Sequence, residues 1–222
     1  MEETSNALFA IGPIEVTGTV VTMWVITAVL TLLSILATRN MKDEPGLLQN
    51  LAEQAVGKLH GYFSGILGKP LTDKYFPVLA TLFIFIIVSN YSGLLPGAGH
   101  LKAFKVPTAS LSVTAALAIV GFFTTHTIGV KERGWKGYLK SFLSVMLPLT
   151  LVEQLVRPFS LALRLFGNLY GEEMVTENLY SIFPILVPLV MNVLSLLFCL
   201  IQALVFTMLL SLYIAEAVEE EE

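Results

Sequence analysis

The sequence is short of charge and nearly without cysteine. Only 14% of its 222 residues are charged and 55% are hydrophobic, a balance that excludes a soluble globular protein and is typical of a polytopic membrane protein. The single cysteine, Cys199, lies in an apolar run, so a disulfide framework and a cysteine-based metal site are excluded and a small core residue is expected. No glycine-rich phosphate loop follows a strand. We therefore expect no nucleotide, cofactor, metal or nucleic acid to bind.

The start of the chain also lacks the features of a secretory signal. Met1, Glu2 and Glu3 open the sequence without a basic region, and no small-residue cleavage site follows. We expect the first hydrophobic run to remain in the mature protein.

Long hydrophobic runs predict an all-α polytopic protein with five membrane segments in a single membrane domain over residues 1–222. The predicted spans are about 16–38, 75–95, 106–130, 141–182 and 184–215. A further helix over about 45–67 is predicted to lie in the membrane interface, because apolar residues at spacings of three and four give it one apolar face. These residues are Leu47, Leu51, Ala55, Leu59, Tyr62 and Ile66. The alternative is a helix of a small soluble domain, but the segment is too short to bury a core of its own.

The last two predicted segments are too long to be upright spans. At 1.5 Å per residue they measure roughly 60 and 48 Å, against a hydrocarbon core of about 30 Å. We expect both to be strongly tilted, bent or broken, with proline or glycine at the bends. The candidate bend points are Pro158, Gly167, Gly171 and Pro188.

Basic residues predict the orientation of the chain in the membrane. Nine of the 13 fall in residues 39–74 and 131–140, two connections that five spans place on the same side. The other four are Lys102 and Lys105, after the second span, and Arg157 and Arg164, inside the fourth segment. Because cytoplasmic loops are enriched in lysine and arginine, we expect the N-terminus outside and the C-terminus in the cytoplasm.

One charged stretch, residues 153–173, lies inside the fourth segment. An ionisable side chain at membrane depth is costly, so it indicates a functional site by default. At about 100° per residue, one helix face holds Glu153, Arg157, Ser160, Arg164 and Asn168, and Gly171 continues it. Glu173 points to the opposite side, and Glu172 lies at an intermediate angle. Glu153 and Arg157 are four residues apart and can pair with each other.

Arg164 has no carboxylate within one helical turn. Arginine keeps its proton, so it needs an anion as a partner. The fifth segment has no charged residue between Glu177 and Glu216, and the second and third spans have none. We therefore expect the carboxylate of a separate ion-binding subunit opposite Arg164. The alternative is a purely structural pairing with a glutamate of this chain.

Uncharged polar residues form a helical stripe in the fifth segment, at spacings of three, four and three. They are Asn192, Ser195, Cys199 and Gln202. For Ser195 and Cys199 we expect backbone hydrogen bonding or plain packing. The amide of Gln202 has four hydrogen-bonding positions to satisfy, and we expect it to hold the Arg164 guanidinium or ordered water.

One polar side chain in the second span and one in the third can each be interpreted in two ways. Asn90, near the end of its span, is either a cap at the membrane interface or a group that lines a pore. His126 is either a packed residue or a proton relay, and no carboxylate stands at helical spacing beside it.

A set of motifs in the same order runs along nearly the whole chain. The central motif is Pro158, Ser160 and Leu161 with the run Arg164-Leu-Phe-Gly-Asn168, followed by Gly171-Glu-Glu173. The others are Phe76-Pro-Val-Leu-Ala-Thr-Leu-Phe83, Ser89-Asn90 through Gly93-Leu-Leu-Pro96-Gly97, Pro107-Thr-Ala109, and Ile201-Gln202-Ala203 with Tyr213-Ile214. Together they resemble subunit a of the membrane sector of rotary F-type ATP synthases.

This resemblance implies a stator ion-channel subunit that is not an enzyme by itself. Its two offset half-channels would pass protons to and from the carboxylates of a ring of c subunits. Arg164 matches the family's essential arginine, which separates the half-channels. Glu173 matches an acidic residue of the outer half-channel, and Asn168, Gln202 and Asn90 match polar positions near the route.

The resemblance also implies partners and a location. The partners are the c-ring, the b subunits of the peripheral stalk and the lipid bilayer. The ion is the proton, with sodium as the alternative because selectivity is set largely at the c-subunit site. The location is the inner (plasma) membrane of a bacterial cell, ahead of a thylakoid-type membrane.

Three positions depart from the family pattern. Ser110 and Ser112 stand where many members have an aspartate and an asparagine, and Ser195 stands where some have a histidine. Our hypothesis is that Glu172, beside Glu173, compensates, because adjacent carboxylates can share protons.

Two other functions make different predictions. A self-contained channel or transporter would show internal repeats with paired broken segments, which the sequence lacks. A non-transporting assembly scaffold would tolerate Arg164→Ala.

Overall fold

The computed structural model describes residues 7–11, 14–39, 41, 46–95, 105–142, 147–180 and 186–218. A two-stranded antiparallel hairpin of β1 (Ala7–Ile11) and β2 (Ile14–Thr17) precedes the helices. The helices are α1 (Gly18–Thr38), α2 (Leu47–Leu67), α3 (Lys69–Tyr91), α4 (Leu111–Phe142), α5 (Leu147–Tyr180) and α6 (Leu186–Val218). Two 3₁₀ turns, Ser92–Leu94 and Pro107–Ala109, stand between α3 and α4.

The structure confirms a helical membrane protein. Among the described residues, four helices are long and apolar enough to cross a membrane: Gly18–Thr38, Lys69–Leu94, Leu111–Tyr138 and Val190–Val218. The fifth span therefore stays a prediction. The all-α prediction missed the hairpin, in which apolar and β-branched residues flank the turn-favouring dipeptide Gly12-Pro13.

A single residue joins α2 to α3. Gly68 has a φ of 75°, a conformation that glycine adopts without steric cost. Because this joint is so short, α3 begins at Lys69, well before the start at residue 75 that charge patterning predicts. Helical structure therefore continues through Asp73 and Lys74, whose charges the sequence assigned to a loop.

The second half of α2 carries its buried contacts. Phe63 is fully buried, whereas Leu47 is 78% exposed at the start of the helix. The Tyr62 hydroxyl donates to the Leu204 carbonyl of α6 at 3.3 Å, and burial raises the pKa of Tyr62 above its usual value, so the hydroxyl keeps its proton. The predicted apolar face is thus divided between an exposed half and a half that packs on α3 and α6.

The helix α4 continues into the predicted loop 131–140. Its backbone breaks at Gly134, where φ is 73°, and it is helical on both sides. The prediction of a ten-residue loop is therefore wrong, because one glycine with positive φ is enough to redirect the chain.

The helices α5 and α6 are the longest elements, at 34 and 33 residues. At about 1.5 Å per residue each is roughly 50 Å long, well beyond the ~30 Å hydrocarbon core. Pro158 lies inside α5. Pro188, predicted as a bend point, falls in the first turn of α6, where proline removes no intrahelical hydrogen bond and the helix continues past it.

The core lies where α3, α4, α5 and α6 meet. Its fully buried side chains include Leu79, Ile86, Leu165, Phe206 and Ile214. Small residues bring α4 close to α6: a Cβ at Gly121 would lie 3.2 Å from Leu210 Cδ1, and one at Gly129 would lie 3.2 Å from Ala217 Cβ.

Gly129→Val is expected to destabilise the bundle. A Cβ at this position would lie 2.5 Å from Cε2 of Tyr138 as well as close to Ala217, so both neighbours must move. Overpacking of this kind lowers the free energy of unfolding by about 1–3 kcal/mol. Thermal unfolding of the subunit in detergent measures the loss. Gly61→Val is the matched control, because nothing lies within 4 Å of a Cβ there; equal melting temperatures of the two variants would contradict the prediction.

Charged side chains join the helices at one end of the bundle. Lys74 Nζ of α3 lies 2.5 Å from Glu132 Oε1 of α4, and the Tyr75 hydroxyl donates to the same carboxylate oxygen. His60 of α2 lies 2.7 Å from Asp73 of α3. The C-terminal part of α6 meets α4 at this end, through Ala217 and Gly129. This end, which also holds Glu216, is called the Glu216 end below.

Candidate ion pathway between α5 and α6

Three polar contacts connect α5 and α6 in the order that antiparallel helices require. Ser195 contacts Glu172, Asn168 Nδ2 donates to Gln202 Oε1 at 2.6 Å, and Arg157 Nη2 lies 2.5 Å from Glu216 Oε2. On α5 these contacts run from residue 157 to residue 172, about 22 Å at 1.5 Å per residue. A line of polar side chains therefore runs for about 22 Å along α5.

Arg164 lies on α5 between the second and third of these contacts. Its side chain is exposed, and no described side chain forms a hydrogen bond or ion pair with it. A guanidinium keeps its charge in a protein. The pairing with a glutamate of this chain that the sequence left open is therefore absent among the described side chains.

Arg157 has a different environment from Arg164. It forms the ion pair with Glu216, its guanidinium lies 4.7 Å from the centre of the Tyr213 ring, and its side chain is only 16% exposed. The predicted pairing of Arg157 with Glu153 involves a side chain that lies outside the described ones. The contact with Glu216 was missed because the sequence gives no distance between the start of α5 and the end of α6.

The second contact joins two of the predicted site residues. Gln202 is 2% exposed, and its Oε1, the atom that could accept from a guanidinium, accepts from Asn168 instead of Arg164. Its Nε2 has no hydrogen-bond partner among the described residues. The structure thus places a neutral amide pair one helical turn from Arg164, and the Gln202 Nε2 atom remains available to water.

Asn168→Leu is expected to cost about 1–3 kcal/mol of stability, because it leaves the buried Oε1 of Gln202 without a donor. Asn168→Leu combined with Gln202→Leu removes both polar groups and should cost less than the sum of the single changes. Thermal unfolding of the four variants gives the coupling, expected at about 0.5–3 kcal/mol. Additive effects would show that the 2.6 Å contact contributes nothing.

Glu172 and Ser195 form the contact at the opposite end from Glu216. Ser195 is 5% exposed, and its hydroxyl lies 2.8 Å from the Met191 carbonyl as well as against Glu172 Oε1. The predicted backbone bond of Ser195 is therefore present, and the carboxylate contact is an addition that the sequence did not predict. Glu173 belongs to α5, but its side chain lies outside the described ones.

Asn90 connects α3 to α6 close to Gln202. It is 1% exposed, and its Nδ2 donates to the carbonyl of Cys199, three residues before Gln202, at 3.3 Å. The C-cap residue of α3 is Ser92, whose hydroxyl donates to the Ser89 carbonyl at 2.6 Å, so the side chain of Asn90 does not cap α3. Asn192, in contrast, is exposed. The buried part of the predicted stripe consists of Ser195, Cys199 and Gln202.

Buried polar atoms without a described partner lie near this end of α3. They are Ser89 Oγ, Asn90 Oδ1 and, in the second 3₁₀ turn, Thr108 Oγ1. Buried polar groups are nearly always hydrogen-bonded to protein or water, so these atoms are candidate positions for bound water. Ser89 and Thr108 stand in two of the sequence motifs, but neither was predicted as a site residue, because a lone hydroxyl in an apolar run usually bonds to its own helix.

No group of three histidine, cysteine, aspartate or glutamate side chains within the described ranges is arranged to hold a metal ion. Glu132, Glu172 and Glu216 each lie against side chains of another helix.

Comparison with known proteins identifies the family. The ATP synthase A chain family matches residues 20–215. "ATP synthase subunit a 2" of Bradyrhizobium sp. is 39% identical over 97% of this chain and 95% of its own. "ATP synthase subunit a" of Moorella thermoacetica is 40% identical over 95% of both chains, and "ATP synthase subunit a 3" of Pelobacter propionicus is 44% identical over 89% of this chain and 86% of its own. The chain therefore belongs to the ATP synthase A chain family.

Proposed function

We propose that this chain is the stator ion-channel subunit of a rotary ATP synthase, with Arg164 facing the carboxylates of the c-ring. Membership of the family makes it a bacterial-type helical membrane protein and the proton-translocating subunit of the ATP synthase complex, which includes the c-ring. It is not an enzyme by itself. The roles of individual residues below belong to the proposal.

The guanidinium of Arg164, exposed and without a partner among the described side chains, is the observation that carries the proposal. A lone charge at membrane depth is costly, and an opposite charge from another subunit neutralises it. Beside a fixed cation, a carboxylate favours its ionised form and releases its proton. A ring carboxylate that passes Arg164 would therefore give up its proton there.

The surface beside Arg164 is open enough for another helix to approach. A Cβ placed at Gly167 or Gly171 would meet nothing within 4 Å. Small residues at a membrane interface allow two helices to pack closely. The side of α5 that carries Arg164 therefore suits the ring.

Two groups of polar side chains suit the two half-channels. The outer one would use Glu172, Ser195, Asn90 and Glu173, and the inner one would open at the Glu216 end. Arg164 lies between them and would prevent direct flow of protons. The membrane potential supplies about 2.3 kcal/mol per charge per 100 mV, so many protons must pass for each ATP.

The remaining features follow from the same proposal. The chain forms a single membrane domain over residues 1–222, in which α5 is a strongly tilted fifth span and α2 lies in the interface. The N-terminus is outside and the C-terminus is cytoplasmic, with the basic connections on the cytoplasmic side. The b subunits of the peripheral stalk and the lipid bilayer cover surfaces that the ring does not.

Proton-driven ATP synthesis by the complex carrying Arg164→Ala tests the proposal. Loss of synthesis is expected, and retained synthesis would refute it in favour of an assembly scaffold.

A further inference from the structure

The helix α4 carries an exposed stripe of side chains that ends in a lysine. Val120, Phe123, Thr127 and Lys131 follow one another at spacings of three, four and four residues, so they lie on one helix face. All four are exposed, Val120 at 51% and Phe123 at 63%. The stripe therefore leads from apolar side chains to a cation at the Glu216 end.

Lys131 lies at the level where the hydrocarbon core of a membrane ends. Residues 111–130 of α4 contain no lysine, arginine, aspartate or glutamate, and they measure about 30 Å at 1.5 Å per residue. The hydrocarbon core has the same thickness, about 30 Å. A lysine at its edge places its ammonium among the headgroups while its stem stays in apolar surroundings.

The break at Gly134 keeps the following residues at this level. Gly134 has a φ of 73°, and Tyr138 beyond it packs back on Gly129, since a Cβ at Gly129 would lie 2.5 Å from Tyr138 Cε2. In an unbroken helix, residues nine positions apart would be separated by about 13 Å along the axis. Trp135, which comes directly after the break, is 71% exposed, and an exposed tryptophan favours the headgroup level of a membrane.

The positive charge at this level is not cancelled by the neighbouring carboxylate. Lys131 and Lys136 are exposed, and no described side chain forms an ion pair with either of them. Arg133, between them, is partly buried and adds a third positive charge. The Glu132 carboxylate lies 2.5 Å from Lys74 Nζ of α3, so α3 already neutralises it. The surface therefore attracts an anion at the level of the headgroups.

We propose that this face of α4 binds an anionic phospholipid; Val120, Phe123, Lys131, Trp135 and Lys136 form what is called the Lys131 surface below. One acyl chain lies along Val120 and Phe123, and Lys131 and Lys136 hold the phosphate. Phe123 is about 12 Å from Lys131 along the helix axis, which falls within the roughly 15 Å of hydrocarbon in one leaflet. A free phosphate or an acidic protein segment would neutralise the lysines and leave the apolar part of the stripe uncovered. Only a lipid matches both parts.

Photocrosslinking in the assembled synthase tests the proposal. The photoreactive residue p-benzoylphenylalanine replaces Phe123, and the complex is placed in phosphatidylcholine vesicles that contain about a tenth of anionic phosphatidylglycerol. After irradiation, mass spectrometry identifies the lipids joined to this subunit. Each lysine near an anionic headgroup favours binding by about fivefold, so the pair predicts an enrichment of roughly 25-fold and a majority of phosphatidylglycerol adducts. High salt should lower this enrichment, because it screens exposed charges.

Substitutions of the two lysines test their part in the enrichment. Lys131→Gln combined with Lys136→Gln should lower phosphatidylglycerol adducts to the share of this lipid in the vesicles, whereas Lys131→Arg with Lys136→Arg keeps the charge and should keep the enrichment. The matched control is Lys58→Gln with Lys69→Gln, which removes the same charge from exposed positions of α2 and α3. It should leave the adducts unchanged.

A second position for the photoreactive residue measures the background. Val25 of α1 is 53% exposed, and the nearest basic residue in the sequence is Arg39, fourteen residues further on, so lipids should react there in proportion to their amounts. Equal enrichment at Val25 and Phe123, no enrichment at Phe123, equal loss in the control pair, or an adduct with another subunit in place of lipid would overturn the proposal. The measurement needs no proton flow, so its result is independent of that with Arg164→Ala.

Discussion

ATP synthase that carries Arg164→Ala in this subunit is expected to lose proton-driven ATP synthesis by about three orders of magnitude. Two unit charges at about 4 Å attract each other by about 4 kcal/mol at an effective dielectric constant near 20. About 1.4 kcal/mol corresponds to a factor of ten. Arg164 is exposed on α5 without a described partner, so alanine removes this attraction for a ring carboxylate and leaves the rest of the fold unchanged.

The measurement is ATP synthesis in vesicles that contain the whole complex, driven by an imposed proton gradient. Passive proton conduction in the same vesicles should persist, because the substitution removes the barrier between the half-channels and not the channels. Arg164→Lys keeps the charge but not the planar fork, and it should fall between alanine and the unmodified complex. Arg39→Ala, which removes an exposed arginine at the end of α1, is the control and should synthesise ATP normally.

The second large effect is expected at the end of α5 that carries Glu172. Glu172→Gln combined with Glu173→Gln should lower ATP-driven proton pumping at least tenfold, whereas each single change lowers it severalfold. A glutamine cannot exchange a proton, whereas the carboxylate that remains in each single variant still can. The half-buried Glu172 contacts Ser195 across α5 and α6.

Acidification of the vesicle interior after ATP addition measures this pumping. Glu53→Gln is the matched control, because it makes the same change on an exposed position of α2. Ser195→Ala should have a smaller effect than either single change, since it removes a partner of Glu172 and leaves the carboxylate. Unchanged pumping in the double variant would disprove the role of both glutamates.

Much of the fold could be predicted from hydrophobic runs, because lipid-exposed helices must be continuously apolar. Hydrophobic patterning failed to predict the helix boundaries where charged residues lie inside a helix. Lys74, predicted to end a connection, lies inside α3 and pairs with Glu132 of α4. The loop predicted around Gly134 is one residue of positive φ. Charged residues at a helix end look like a loop when their partners are distant in sequence.

The sequence predicted candidate residues for the site but not the contacts between them. The amide of Gln202 was expected to hold the Arg164 guanidinium or ordered water, and a choice between two donors on one helix face, Arg164 and Asn168, cannot be made from spacing. The structure pairs it with Asn168. The contacts of Glu172 with Ser195 and of Arg157 with Glu216 depend on the relative height of α5 and α6, which no local pattern determines.

The one-residue joint at Gly68 has a mechanical consequence for a stator. In the proposed arrangement a turning ring would push sideways on α5 and α6, and a stator helix must not yield to that force. Behind α6 lies α2, with Phe63 fully buried and the Tyr62 hydroxyl bonded to the Leu204 carbonyl. Because only Gly68 separates α2 from α3, the two helices have little freedom to move relative to each other. Torque on α6 would thus pass into α3 through packed side chains, so the rotor turns and the channel stays in place.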